Sequence, residues 1–305
     1  CQLNGSKKPL ITSYIPAYYN ETGKPIDNEP WKLSFNYFGP EGPLHTIPET
    51  LDHWESMGGP ARARFYSAHF AFTEGAFCKE VQHDPEMYFH GEEISIAVRA
   101  FTHGYDLFHP HKVIAWHHYG RQGNPKHWDD KKDWNKSNQK SYSRVRKLFG
   151  IDGEKFEEGE CKEEFGFGKK RTLAEYEAYA GVRFKDKTLQ QWTLDKKLAP
   201  NPIIEDEKDF EKSFKGYFKL CIDLSFEQVP ANDYEFWAVA FFNDKDEEVY
   251  RQDADVSEID HLRKDKDGYI KLWRWFNTND KIVKWRVWPC SKSNGFEDPI
   301  EGYIG

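Results

Sequence analysis

The sequence predicts a mixed α/β unit followed by an antiparallel β-sandwich, and three stretches carry that prediction. Residues 87–121 alternate helix and strand signals. Residues 217–226 (YFKLCIDLSF) set Phe218, Leu220, Ile222, Leu224 and Phe226 on one face and Lys219, Cys221, Asp223 and Ser225 on the other. A period of two marks a strand with one buried face. Between them, Leu198–Asp209 (LAPNPIIEDEKD) carries two prolines and an acidic run, the composition of a boundary. The expected division is residues 1–197, a linker at 198–209, and a sandwich over 210–305.

The elements follow in order. Leu10–Tyr18 (LITSYIPAY) reads as a short buried strand interrupted by Pro16. From there to Pro60, Gly, Pro and Asn recur without periodicity, which predicts a long functional loop. Arg64–Phe72 (RFYSAHFAF) reads as a strand or strand-turn and Thr73–Val81 as a short helix. Ile94, Val98 and Phe101 then form one apolar helical stripe. Glu92 and Glu93 occupy its first turn, where the macrodipole favours carboxylates, and Gly104 stops it. Val113–Tyr119 predicts a strand ending in His117 and His118, whose side chains face opposite ways. Trp128–Phe149 reads as a solvated helix. Arg171–Ala180 reads as another, with Thr172 and Glu175 as a capping box and Gly181 at its end. Tyr234–Phe242, Tyr269–Phe276 and Ile282–Trp288 complete the strands, separated by turns such as NDKDEE and DKDG, at the spacing of a sandwich.

Composition bounds the function. The 305 residues suffice for two cores. An aromatic share of 16% with 11 tryptophans suits packed β structure or a sugar-stacking surface alike. No run approaches the roughly 20 apolar residues of a membrane span. A chain that opens on Cys1 without a signal pattern is expected to be a fragment or a processed product. Five scattered cysteines without CxxC spacing speak against a disulfide framework and a cysteine zinc site, so a reducing, cytoplasmic setting is expected. Residues 1–200 hold 28 acidic and 28 basic side chains and residues 201–305 hold 23 and 15. Neither half is the basic surface that nucleic acid requires.

Each chemical candidate has a plain reading beside it. Adjacent on a helix, Glu92 and Glu93 point a quarter-turn or more apart and do not form a proton-sharing dyad. They are favourable N-terminal charge, or, beside the aromatic YFHG, carboxylates at the rim of a core. His117, His118 and His127 suit a metal, yet HExxH is absent and packed or surface roles remain open. His109 and His111 flank Pro110 and read as surface. Arg121 suits a phosphate or any nearby carboxylate. No Gly-rich phosphate loop, GxSxG or Cys–His arrangement is present. Trp273, Trp275, Trp285 and Trp288 are stacking candidates for a carbohydrate, or core.

The run FYSAHFAFTEGAFCKEVQHDPEMYFHGEEISIAVRAFTHGYDLFHP, followed by WHHYGR, KHWDD and RTLAEYEAYAGVRF, resembles the polypeptide N-acetylglucosaminyltransferases related to the cytoplasmic hydroxyproline-modifying enzymes. The resemblance spans about Pro9 to Phe184 and leaves residues 200–305 uncovered. It implies the acceptor-side, C-terminal half of a GT-A glycosyltransferase domain with a C-terminal helical extension. The implied activity is retaining, metal-assisted transfer of GlcNAc from a UDP-sugar donor to a hydroxyl of a protein or glycan acceptor. Glu92 would hold donor-sugar hydroxyls and Glu93 would lie nearer the acceptor. Arg121 and His127 would lie near the diphosphate. His117, or His118 if the alignment is set on Arg121, would join an Asp-x-Asp/His motif in binding Mn²⁺ or Mg²⁺. In the family that motif lies upstream of LITSYIPAY, so this chain alone is expected to be truncated and inactive. Trp273 and Trp285 are the glycan-stacking candidates outside the resemblance. A non-enzymatic carbohydrate-binding or scaffold protein, and a metal hydrolase, are the competing classes.

Overall fold

A computed structural model describes residues 5–19, 21–39, 41–120, 125, 127–130, 133–264 and 269–304. The chain divides into two compact units, Cys1–Phe214 and Lys215–Gly305. Its content is mixed α/β with several antiparallel pairings. Among the described residues no helix is long and apolar enough to cross a membrane.

In the first unit the elements run β1 (Pro9–Thr12), β2 (Trp31–Phe38), β3 (Leu44–Thr50), β4 (Ala61–Arg62), β5 (Ala71–Phe72), α1 (Phe77–Glu80), α2 (Glu92–Thr102), β6 (Asp106–His109), α3 (His127–Asp130), α4 (Trp134–Phe149), α5 (Leu173–Ala180), β7 (Val182–Arg183), β8 (Thr188–Gln190), α6 (Gln191–Leu194) and α7 (Glu207–Ser213). The central sheet has the order β4-β6-β1-β5. Its β1 and β6 are parallel, with Leu10 opposite Leu107, and the outer pairs are antiparallel.

Several expectations are corrected. The predicted loop before Pro60 holds the β2–β3 hairpin. Lys32, Leu33, Ser34 and Phe35 are buried consecutively, so the hairpin lacks the period of two that would have revealed it. Arg64–Phe72 is not a continuous strand: only Ala71 and Phe72 pair, as β5, while Thr12 Oγ1 exchanges hydrogen bonds with the Ser67 backbone. Val113–Tyr119 is not a strand either. It makes a single bridge, His117 to Ala17, and the strand position is taken by β6.

Helix α2 is buried on every side from Ile94 to Thr102 rather than along one stripe. Phe101 packs on Tyr176 and Tyr179 of α5. Arg99 is inside, donating to the carbonyls of Gln82, Glu164 and Gly166 at 2.7–3.2 Å. The Thr172–Glu175 capping box opens α5 and Gly181, at φ 62°, closes it. The 198–209 stretch lies in the first unit, where Asn201 accepts from Arg64, Nη2 at 2.6 Å.

The second unit starts within β9 (Phe214–Ser225) and continues as β10 (Tyr234–Asn243), β11 (Glu248–Arg251), β12 (Ala254–Asp255), α8 (Val256–Leu262), β13 (Tyr269–Thr278), β14 (Ile282–Ser291), β15 (Gly295–Phe296) and β16 (Ile300–Tyr303). β9 and β13 pair antiparallel without interruption from Gly216–Thr278 to Ser225–Tyr269. β10 and β14 form the centre of a second sheet. Ile222, Leu224, Ile270 and Leu272 from the ribbon meet Trp237, Val239, Phe241 and Val287 from the sheet in one core. The predicted alternation of β9 holds: Ile222 and Leu224 point inward with Phe218 and Leu220 beside them. The DKDG turn lies outside the described residues.

His109 corrects its expected surface position. It is fully buried, its Nε2 accepts from the Leu33 N–H at 3.1 Å, and its Nδ1 donates to the Thr12 carbonyl at 3.0 Å. The ring ties the hairpin to the sheet and must be neutral to do so. Burial pushes its pKa down to about 4, so between about 6.5 and 4 the unfolded chain holds a proton that the folded one does not. Stability is expected to fall by roughly 3 kcal/mol as pH drops through that window. Denaturant unfolding of the wild type and of His109→Gln at pH 7 and pH 4 checks this: the variant should lose that part of the pH dependence, and equal slopes would refute it.

Candidate functional site

The cavity that holds the acidic pair measures about 380 Å³, within the range of small-molecule sites. Glu92, Glu93, Tyr66, His69, His90 and Phe89 are among its lining residues. Besides Leu44, His45 and Thr46 of β3, three pieces of chain build it.

The first is the turn into α2. Gly91 has φ 94°, and a Cβ there would lie 2.2 Å from Val145 Cγ2 of α4. Only glycine meets both conditions. Before it, the His90 N–H donates to the Tyr88 carbonyl at 2.8 Å across Phe89, whose φ is 59°. That is a γ-turn with a bulky aromatic in the left-handed region, a strained conformation of the kind found at functional sites. The Phe89 side chain is 55% exposed at the cavity wall. Helix α4 holds the whole turn. Ser141 donates to the His90 carbonyl at 2.7 Å, and Arg144 pairs with Asp84 inside and with Glu86 at 3.1 Å.

The second piece is Ser67–His69, anchored on β1 through Thr12. The Ala68 N–H donates to Glu93 Oε1 at 2.8 Å. Burial, with a contribution from Glu92, nevertheless raises the Glu93 carboxyl above the usual carboxylate range. Burial and the two glutamates push the neighbouring Tyr66 phenol up to about 12, so it is neutral at physiological pH. Glu92 is half-buried, 4.0 Å from His83 Nδ1.

The third piece is Tyr14–Tyr18 running beside Ala115–Tyr119. The His117 N–H donates to the Pro16 carbonyl at 2.8 Å. The two histidines have different partners. His117 stacks on His69, ring centres 5.3 Å apart and planes within 3°, whereas His118 turns to Tyr18. Through His69, a lining residue, His117 adjoins the cavity. Tyr119 Oη donates to the Ile15 carbonyl at 2.6 Å and lies 3.2 Å from His69 Nδ1. With its one proton committed, the phenol accepts there, which places the His69 proton on Nδ1.

The structure thus brings Glu92, Glu93 and, one ring away, His117 together. Arg121 lies outside the described residues, as does the side chain of His127, which opens α3. Trp273 and Trp285 belong to the second unit. There Trp285 packs on the core and so close over Gly302 that a Cβ would meet its ring at 2.4 Å. Core packing, not an open stacking face, accounts for Trp285. His69 and Phe89 were not singled out from sequence, since neither sits in a periodic or motif context.

For a metal, the fit is partial. His117 Nδ1 is buried without a hydrogen-bond partner, the state of an imidazole nitrogen with a lone pair to give. Among the described residues no three His, Cys, Asp or Glu side chains group closely enough to hold an ion. The described residues therefore do not by themselves complete a ligand set for an ion.

A family model described as Glycosyltransferase (GlcNAc) matches residues 1–186. No curated protein and no solved structure matches.

Two substitutions separate fit from strain in the turn. Gly91→Ala should destabilise the first unit by about 2 kcal/mol or more, through the left-handed backbone and the Val145 overlap. Phe89→Gly should be neutral or stabilising by up to about 1 kcal/mol, since glycine adopts that φ freely. Urea unfolding measures both, and a stable Gly91→Ala would disprove the tight contact.

Proposed function

The chain belongs to the glycosyltransferase (GlcNAc) family, and on that premise we propose that the cavity of the first unit carries GlcNAc transfer from a UDP-linked donor to a hydroxyl of a protein or glycan acceptor, with retention of configuration. The observation that carries the reading is the Gly91–Glu92–Glu93 turn. It sets two carboxylates of unequal environment on one cavity, inside the matched residues.

Glu92, half-buried on the cavity wall, accepts hydrogen bonds from donor-sugar hydroxyls. Glu93, desolvated and fixed by the Ala68 N–H, orients the acceptor hydroxyl. In the proposed step the acceptor oxygen attacks the anomeric carbon on the face from which UDP departs. The bond from that carbon to the phosphate oxygen breaks, and the hydroxyl proton leaves with the diphosphate. No protein nucleophile is required. Mn²⁺ or Mg²⁺, when bound, would neutralise charge on the diphosphate, and His117 is the protein ligand proposed for it. His118 faces Tyr18 instead. The exposed Phe89 ring gives the cavity an apolar wall against which a sugar ring can lie.

Calorimetric titration with UDP-GlcNAc and Mn²⁺ tests the assignment. Glu92→Gln should weaken binding by about tenfold, the worth of one hydrogen bond to a charged group. His117→Ala should remove the metal dependence and His118→Ala should leave it. Equal effects of the two histidine variants would sink the choice between them, and metal affinity without nucleotide-sugar affinity would favour a hydrolase. In a transfer assay of active enzyme that carries this chain, the acidic limb of kcat should lie above the ordinary glutamate range and move in Glu93→Gln. An unmoved limb would exclude Glu93 from the acceptor side.

A further inference from the structure

The second unit carries an aromatic platform on the outer face of β13. Inward positions Ile270, Leu272, Arg274 and Phe276 are buried, which fixes the register. Tyr269, Trp273 and Trp275 therefore cannot turn into the core, and they stand 59%, 38% and 48% exposed. The two indoles lie 6.4 Å apart with planes 22° from parallel, a stacked pair on the exposed face of the strand. Exposing two tryptophans side by side on a strand has a solvation cost that a core role would have avoided.

What surrounds the pair identifies its chemistry. Across the ribbon, Trp275 is opposite Lys219, Lys271 opposite Asp223, and Tyr269 opposite Ser225. The Lys219 ammonium lies 5.1 Å from the centre of the Trp273 ring. Aromatic faces bordered by donors and acceptors, with no exposed aliphatic side chain at the outward positions of β13, suit a ring that is apolar on its face and polar at its edge. Pyranose sugars have that form. Nucleobases do as well, but Lys215–Gly305 carries 18 acidic against 13 basic side chains, and such a unit repels a phosphate backbone.

We propose that the Trp273–Trp275 face binds an oligosaccharide of GlcNAc. The class of ligand rests on the platform itself, and the choice of GlcNAc rests on the glycosyltransferase reading of the first unit. Chitotriose, three β-linked GlcNAc residues, is the probe, titrated into the full chain and followed by tryptophan fluorescence and by NMR. Saturable binding is expected, and Trp273→Ala and Trp275→Ala should each weaken it by about tenfold. Trp275→Leu keeps apolar bulk without a ring face and should show the same loss, so a folding defect in the alanine variant does not decide the outcome. Saturating UDP-GlcNAc should not displace chitotriose. The proposal is overturned by absence of saturable binding, by binding that ignores all three substitutions, by displacement with UDP-GlcNAc, which would place the sugar in the first unit's cavity, or by a single-stranded oligonucleotide that competes. Should UDP-GlcNAc fail to bind at all while chitotriose binds at the tryptophans, the transferase reading falls and the platform stands.

Discussion

Satisfying backbone carbonyls where there is little regular ladder is the constraint on which the first unit depends. Its strands are short and its connections long, so many carbonyls must find donors outside helices and sheets. Two buried guanidinium groups answer this. Arg64 donates to the carbonyls of Ala180, Lys197 and Leu198 and to the Asn201 side chain. Arg99 donates to those of Gln82, Glu164 and Gly166. A planar group with five N–H donors and no acceptor is suited to gathering irregular chain. Desolvation lowers the pKa of both, Arg64 to about 10, and both remain charged near neutrality.

The cavity inherits its rigidity from the same device. Arg99 fixes the chain at Gln82, Arg144 fixes it at Asp84 and Glu86, and Ser141 fixes it at His90. By the time the chain reaches Gly91 it has little freedom left, and Val145 fills the space a side chain would need. A loop held at this many points can keep a strained Phe89 and a desolvated Glu93. Both are unfavourable locally, and both face the cavity.

How much of this was legible in the residues depended on whether the signal was local. The capping box of α5, the glycine stops and the alternation of β9 and β13 are local rules that tertiary structure left intact. The acidic pair was visible as charge at a helix start. The β2–β3 hairpin was hidden because four consecutive residues of β2 are buried, two of them, Lys32 and Ser34, polar. His109 was misread because its flanking Pro110 is a turn signal, while its burial depends on Thr12 and Leu33, far away in sequence. For Trp273 and Trp285, strand periodicity could pair residues on a face but not say which face is inward. Ile270 and Leu272 on one strand and Gly302 beneath the other decide that in space.

Arg64 also has a consequence for the order of events at the ribosome. Its partner Asn201 lies 137 residues later in the chain, on the order of 10 s of synthesis. Until then a guanidinium destined for the interior has no acceptor from that segment, and the turn after β4 that carries it lacks one of its final anchors. One anchor of the first unit's interior is thus supplied by a residue outside the 1–186 region that identifies its family.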